Sequence, residues 1–137
     1  MLWTQKVGEC LEKSSKEKAA EFAKKGKEIQ AIMADLTMMC LEDMNKLKRM
    51  KVETLVTIHV HQRDLFTKIS DDAKKNMIKD ANDFDWQKNT RCFWNTELNH
   101  VQVSVTDVVF TYSYEYLGAK ERLCVTPLTD RCYITLS

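Results

Sequence analysis

Apolar residues at the start of the chain recur at helical spacing. Trp3, Val7 and Leu11 are four residues apart, which predicts a short amphipathic helix over residues 1–13. Ser14 follows as a candidate N-cap, and the glutamate three positions after it completes the spacing of a capping box. The pattern therefore predicts that a second helix begins directly after the first.

The second predicted helix carries a longer apolar series. Its members recur in steps of 4, 3, 4, 4 and 3 residues: Ile29, Met33, Leu36, Cys40, Met44 and Leu47. The steps average 3.6 residues, the period of a straight helix, whereas a supercoiled seam repeats every ~3.5 residues. We expect a long helix in a bundle, with lysine and glutamate side chains facing water. A coiled coil of two heptads is the alternative, and the drifting phase argues against it.

Residues 52–69 carry two competing patterns. Val56, Ile58 and Val60 alternate with polar residues, which favours a strand over residues 55–61. A helical face also fits the same stretch: Leu55, Ile58, Leu65, Phe66 and Ile69. The pattern by itself favours the strand.

The next stretch, residues 71–82, is polar and mixed around Met77 and Ile78. It predicts a short amphipathic turn or helix followed by a connection. Asn82 or Asp83 can then cap a further helix. Four aromatic residues lie along this predicted helix: Phe84, Trp86, Phe93 and Trp94.

The composition changes near residue 100, where valine, threonine and tyrosine replace lysine, glutamate, alanine and methionine. Two alternating runs predict a β-hairpin or a bent pair of strands: Val101, Val103 and Val105, then Val108, Phe110, Tyr112, Tyr114 and Tyr116. We expect one aromatic and buried face, with the second run ending at Gly118. Residues 122–126 precede Pro127 and are predicted to be extended, and a helix is expected to begin around Thr129 and Asp130.

Composition and charge narrow the functional classes. Hydrophobic residues make up 44% and charged residues 30% of the 137 residues, as in ordinary globular chains. The net charge of +1 offers no electrostatic reason for binding nucleic acid or an anionic membrane. No apolar run approaches the ~18 residues of a membrane span, and no secretory signal is visible. The five cysteines lack a CxxC pair, which favours a reduced, intracellular protein.

Few residues carry candidate chemistry. His59 and His61 would share a face of a strand but point ~200° apart on a helix, so we predict no metal site. Cys92 and His100 form a nucleophilic pair by residue type only. The chain contains no GxxxxGK[ST] loop that could cradle a phosphate.

Three stretches of the chain resemble the dynein heavy chain family. Residues 58–64 (IHVHQRD) are similar to a segment late in that family's linker, the mechanical element that swings across the motor ring. Residues 83–86 (DFDW) with 91–94 (RCFW) match a second segment. Residues 112–118 (YSYEYLG) followed by 122–133 (RLCVTPLTDRCY) give the most specific match, and their wording favours an axonemal type.

This resemblance implies an α+β fold. It would be mainly a helical bundle, followed by a small β-hairpin and an extended loop that leads into an AAA+ module. Residues 1–98 would form the end of the linker, and residues 99–137 would begin the first AAA+ module. The resemblance also favours a helix over residues 55–61, and we adopt that interpretation over the strand.

The resemblance further implies a nucleotide contact. The loop before the family's phosphate-binding strand lies beside the adenine, and here it would contribute Leu123, Val125, Pro127, Leu128, Thr129 and Cys132. Apolar side chains could form a wall for a flat base, while extended backbone reads its edge. The alternative is ordinary packing at a strand-to-helix turn.

The function implied is mechanical. The segment would couple the nucleotide state of the first ATPase module to linker movement in a microtubule motor, without catalysis of its own, because its 137 residues hold no Walker motif. ATP or ADP with Mg²⁺ would bind in the full motor. Partners would be the rest of the motor ring, other dynein chains and, indirectly, microtubules, in the cytoskeleton of a cilium or flagellum. The alternative is a free-standing helical interaction protein derived from a dynein-like gene.

Overall fold

Three helices form the first part of the computed structural model, which describes residues 1–116, 118 and 125–136. They are α1 (Leu2–Glu12), α2 (Ser15–Leu41) and α3 (Lys46–Lys74). The predicted first helix is confirmed, with Trp3 and Val7 on its buried face. The long helices α2 and α3 are joined by residues 42–45 and pack against each other as a hairpin.

The predicted second helix ends earlier than its apolar series. Met44 lies in the connection between α2 and α3, and Leu47 lies on α3 with 57% of its surface exposed. The reason is local, because the Asn45 side chain accepts a hydrogen bond from the Lys48 amide at 2.8 Å and caps a new helix. The 3.6-residue period therefore continued across a helix boundary.

Residues 55–61 are helical, so the strand indicated by alternation is wrong and the interpretation taken from the resemblance is confirmed. The buried positions of α3 recur at helical spacing instead: Val52, Phe66, Ile69, Ser70 and Ala73. The hydroxyl of Thr57 donates to the Glu53 carbonyl at 3.0 Å, which accommodates a β-branched residue inside the helix. The predicted turn at residues 71–82 begins only after Lys74, where α3 ends.

The core lies where α1 meets the other helices. Its buried members are Trp3, Val7, Cys10, Leu11, Phe22, Ile29, Phe66, Ile69, Ala73, Ile78 and Trp86. The Trp3 indole packs at a tilt of 45° against that of Trp86, with ring centroids 5.5 Å apart, and it donates to the Gln62 carbonyl at 2.9 Å. The rings of Phe22 and Phe66 are 5.3 Å apart and join α2 to α3.

The helix predicted over residues 84–94 is mostly wrong. Asp83 caps α4 as predicted, but α4 covers only Phe84–Gln87. The buried Asn89 side chain donates to the carbonyls of Asp85 and Trp86, which closes the turn, and strand β1 (Arg91–Asn95) follows. Two aromatic residues assigned to the helix, Phe93 and Trp94, therefore alternate on a strand.

The predicted hairpin is confirmed and gains a third strand. Strands β2 (His100–Val105) and β3 (Val108–Thr111) pair antiparallel, and β1 pairs with β2, in the order β1-β2-β3. The division predicted between residues 98 and 99 falls in the β1–β2 turn, inside the sheet, and that division stays a prediction.

The second alternating run does not form a strand throughout, and its aromatic face is not buried. Strand β3 ends at Thr111. The aromatic residues of the run are exposed among the described residues, by 49% at Phe110, 46% at Tyr112, 53% at Tyr114 and 75% at Tyr116. The alternation correctly predicted a strand in the first part of the run, but the burial of its side chains depends on what packs over the sheet.

Helix α5 (Pro127–Leu136) begins two residues before the expected start at Thr129. Thr126 precedes it, and its backbone amide donates to the Thr129 hydroxyl at 2.8 Å. Of the predicted extended stretch, residues 122–124 lie outside the described residues. The mainly helical α+β class is confirmed by these elements, and no helix among the described residues is long and apolar enough to cross a membrane.

Truncating Phe22 should destabilise the chain strongly. Phe22 is 2% exposed, so Phe22→Ala removes a buried ring and is expected to lower the unfolding free energy by about 3–5 kcal/mol. Urea unfolding measures the change. Phe84→Ala is the matched control, because Phe84 is 60% exposed, and its expected effect is within about 0.5 kcal/mol. Equal losses in both variants would contradict this core.

Cys10 should resist alkylation in the native chain. Burial raises the pKa of its thiol to about 11, and the thiolate is the reactive form. At about pH 8, iodoacetamide is expected to modify the exposed Cys132 and to spare Cys10 until urea is added. Peptide mass spectrometry reads both sites, and equal rates in the native chain would refute the burial of Cys10.

The raised pKa of Cys10 also makes the stability of the chain depend on pH. The unfolded thiol ionises near 9.0, before the folded one. The unfolded state therefore binds fewer protons between about pH 9 and 11, so the contribution of Cys10 to stability falls as the pH rises through that range. Cys10→Ala should flatten this part of the stability profile.

Candidate functional site

The sheet is joined to the helices through β1. The Cys92 amide donates to the Thr4 hydroxyl at 3.0 Å, across 88 residues of sequence. Thr4 is 3% exposed and Cys92 is half-buried, so this bond is partly shielded from water. A buried amide that finds its acceptor on another element fixes the position of that element, because leaving the amide unpaired is costly. Helix α1 therefore holds β1 in place.

A second set of hydrogen bonds joins α4 to the β2–β3 turn. The Thr106 amide donates to the Gln87 carbonyl at 2.9 Å. The Thr106 carbonyl accepts from the Arg91 guanidinium at 2.6 Å. Arg91 is 9% exposed, and burial lowers the pKa of its guanidinium. Its Nε is buried without a partner among the described residues. Together these bonds tie the far end of the hairpin to β1 and α4.

One face of the sheet is entirely apolar. Residues directly opposite each other in antiparallel strands share a face, and the pairing groups these seven: Cys92, Trp94, Val101, Val103, Val105, Val108 and Phe110. None of them is buried among the described residues, and Trp94 and Phe110 are 48% and 49% exposed. A sheet with three strands normally buries such a face against another layer. This apolar face is therefore suited to contact with protein outside the described residues.

The predicted adenine-facing residues are distributed around the start of α5. Leu123 lies outside the described residues. Val125 is half-buried just before the helix, and Pro127 is its first residue. Leu128 and Cys132 are one helical turn apart, so they share a face of α5, and both are exposed.

Thr129, the remaining predicted site residue, is used by the helix terminus. Its hydroxyl donates to the Thr126 carbonyl at 3.0 Å and also accepts from the Thr126 amide at 2.8 Å. With Pro127 as the first helical residue, this arrangement starts α5. Sequence reasoning missed the role of Thr126, although a threonine before a proline and a second threonine three positions on is a recognisable helix-start pattern.

The other candidate constellations are separated by the fold. His59 and His61 lie on α3, where side chains two positions apart point to different sides of the helix. Cys92 and His100 lie on opposite faces of the sheet, since His100 pairs with Asn95 and Cys92 with Val103. No group of three or more potential metal-ligating side chains comes together among the described residues.

Comparison with known proteins finds a family model that matches the C-terminal part of the chain. A family model described as "Hydrolytic ATP binding site of dynein motor region" matches residues 112–137. This match contains all six predicted adenine-facing residues, without assigning a role to any of them. It begins at Tyr112, one residue after β3 ends.

The whole chain also has close relatives. It is 43% identical to "Dynein axonemal heavy chain 8" of Homo sapiens over 137 residues, all of this chain and 3% of that protein. It is 40% identical to "Dynein axonemal heavy chain 5" of Rattus norvegicus, covering 4% of it. The "Dynein gamma chain, flagellar outer arm" of Chlamydomonas reinhardtii is 40% identical over 98% of this chain and 3% of its own length.

The chain thus spans about one thirtieth of the length of the curated relatives it matches. Relatives of this identity that are named axonemal and flagellar associate it with the axonemal cytoskeleton of cilia and flagella. Similarity over the full chain, together with the motor-region match at its C-terminal end, identifies its family. The chain belongs to the dynein heavy chains, as a segment of the motor region of the axonemal type.

Proposed function

We propose that this segment is a mechanical joint, which couples the nucleotide state of the first ATP-binding module of a dynein motor to movement of the linker. Residues 1–98 would be the end of the linker, and residues 99–137 the start of the module. The full motor would bind ATP or ADP with Mg²⁺. It would engage the rest of the motor ring and other dynein chains, and microtubules indirectly.

The three-stranded sheet carries this proposal. Strand β1 is bonded to α1 through Thr4, and it pairs with β2 over five residues. Strand β3 then leads directly into residues 112–137, which match the ATP-binding region. Hydrogen-bonded strands transmit displacement as a unit, whereas a flexible linker would absorb it. The connection between α4 and β1 is also short, at residues 88–90.

The apolar face of the sheet supports the same role. None of its seven residues is buried among the described residues, and Trp94 and Phe110 are exposed. An apolar patch of this kind usually contacts another protein layer. We propose that the remainder of the ATP-binding module covers it. The sheet would then contact α1 through β1 and contact the module through its apolar face.

The adenine contact remains part of the proposal. Leu128 and Cys132 present an exposed face of α5, beside Val125 and Pro127, and Leu123 would complete an apolar wall. The Thr129 hydroxyl would act indirectly, by holding the start of α5. Phosphate contacts and catalysis would come from parts of the heavy chain other than these 137 residues, which contain no phosphate-binding loop.

Removing the Thr4 hydroxyl should weaken the coupling. In a heavy chain, Thr4→Val leaves the Cys92 amide without its acceptor, at a cost of about 1–3 kcal/mol. Movement of the linker can be followed by energy transfer between a fluorophore on α2 and one on the ATP-binding module. We expect a smaller ATP-driven change in transfer, with ATP hydrolysis retained.

Thr4→Ser provides the matched control, because it keeps the hydroxyl and should preserve the coupled movement. A heavy chain carrying Thr4→Val that moves its linker as fully as the Thr4→Ser protein would sink the proposal that this joint transmits the movement.

Shortening Leu128 should weaken nucleotide binding. Leu128 is 73% exposed in this chain, so Leu128→Ala should leave the fold intact. Loss of an apolar contact with the base is expected to raise the dissociation constant for ATP in the heavy chain about tenfold. Titration with a fluorescent ATP analogue measures it. Leu41→Ala is the control, since Leu41 is 77% exposed at the end of α2. Unchanged affinity in the Leu128 variant would remove this residue from the site.

A further inference from the structure

Strands β2 and β3 make only one of the two backbone hydrogen bonds that their next residue pair would form. Val101 and Tyr112 are the pair that follows Gln102 and Thr111 in the β2–β3 register. The Tyr112 amide donates to the Val101 carbonyl at 3.0 Å, which is one half of an antiparallel hydrogen-bonded pair. In such a pair the two residues exchange both bonds. The expected second half would run from the Val101 amide to the Tyr112 carbonyl.

Two side chains bond to the amide and the carbonyl that would form this second hydrogen bond. The Val101 amide donates instead to the hydroxyl of Tyr114 at 2.9 Å. The Tyr112 carbonyl accepts from Nε2 of His100 at 2.6 Å. Side chains of flanking residues therefore take the donor and the acceptor that would otherwise extend the sheet.

The rings hold this arrangement together. The His100 and Tyr114 rings meet edge to face at 4.9 Å, and the Tyr112 and Tyr114 rings do so at 5.1 Å. To reach this position Tyr114 adopts φ of 56°, a left-handed conformation that is uncommon for a bulky residue. Such strain persists where surrounding contacts maintain it, and it is often found in switch regions.

We propose that His100 and Tyr114 form a latch that ends β3 at Thr111 and sets the path by which the chain enters the nucleotide-binding segment. Both are positioning residues, and their effect on nucleotide binding rests on the function proposed above. With the latch closed, the chain turns away from the sheet at Tyr114. With the latch open, the second backbone bond forms and β3 extends to Ser113, which lies opposite His100.

The alternating sequence supports the open state. Residues 108–116 keep period two beyond the end of β3, so their local preference is for a strand, whereas the fold holds Tyr114 at a positive φ of 56°. A conflict between local preference and tertiary structure is expected where a segment has two arrangements of similar energy. In an extended β3, Tyr112 would pair fully with Val101 and share its face, which would add Tyr112 to the apolar face of the sheet.

Nuclear magnetic resonance of the 137-residue chain carrying Tyr114→Phe tests the latch. This variant removes only the hydroxyl that accepts from Val101 and keeps the ring. We expect the Val101 amide to stay protected from hydrogen exchange, because the Tyr112 carbonyl replaces the hydroxyl as its acceptor. A new Hα–Hα cross-peak should appear between positions 100 and 113, which would become a close pair without mutual hydrogen bonds. Tyr116→Phe is the matched control and should change neither signal.

The opposite result is equally definite. If the Val101 amide exchanges about tenfold faster or more in the Tyr114→Phe chain, and no cross-peak joins positions 100 and 113, then β3 ends at Thr111 for another reason. The latch would then be excluded. The Hα–Hα cross-peak expected between positions 102 and 111, which pair in the β2–β3 register, serves in either case as the control that the sheet is intact.

A second measurement tests the link to the nucleotide. In a heavy chain, Tyr114→Phe should change KM for ATP several-fold with a smaller change in kcat, because the entry path of the binding segment shifts while the chemistry is elsewhere. Tyr116→Phe should change neither constant. An altered spectrum in the short chain with an unchanged KM would overturn the positioning role, while the mechanical coupling would still be judged by the Thr4 variants.

Discussion

Burial of one face of α1 holds the two parts of this molecule together. Trp3, Val7, Cys10 and Leu11 fill the space between the long helices and α4. The same helix presents Thr4 to the backbone of β1. Without this short element, the α2–α3 hairpin and the sheet would share few contacts. The burial of α1 therefore orients the strands relative to the bundle.

The sheet depends on this support because it is small. Three strands with one face uncovered are near the lower limit for independent stability. Hydrogen bonds from the Thr106 amide to the Gln87 carbonyl and from the Arg91 guanidinium to the Thr106 carbonyl supplement the strand pairing at one end. The other end is held by side chains of His100 and Tyr114. The segment that matches the ATP-binding family model thus leaves the sheet from its tyrosine-rich end, where side-chain contacts replace backbone pairing.

This arrangement is consistent with the mechanical role proposed above. The α1–β1 bond lies at one side of the sheet, and the chain enters the matched ATP-binding region at the other. Force applied at either side acts on three hydrogen-bonded strands. The apolar face offers a broad contact for a neighbouring layer, and the exposed face of α5 offers a smaller one. Both surfaces are those of a segment that functions within a larger chain.

The sequence alone determined the family, the mainly helical α+β class and the amphipathic first helix, because these depend on local periodicity and on a distinctive run of residues. It also located the hairpin from period-two alternation. The apolar period missed a local signal, the Asn45 side chain that caps α3 after α2 has ended at Leu41. Only the tertiary structure decided that Phe93 and Trp94 lie on a strand.

The candidate site likewise has features that the sequence could indicate and features that it could not. The family resemblance indicated Leu128 and Cys132 as site residues, a role that stays a prediction, and the structure places them one turn apart on α5. The sequence could not indicate that Thr4 supports β1, a contact between residues 88 positions apart. Nor could alternation reveal that β3 ends at Thr111, since the competing bonds come from His100 and Tyr114. Periodicity reports local geometry, whereas sheet partners and burial depend on contacts between residues distant in the chain.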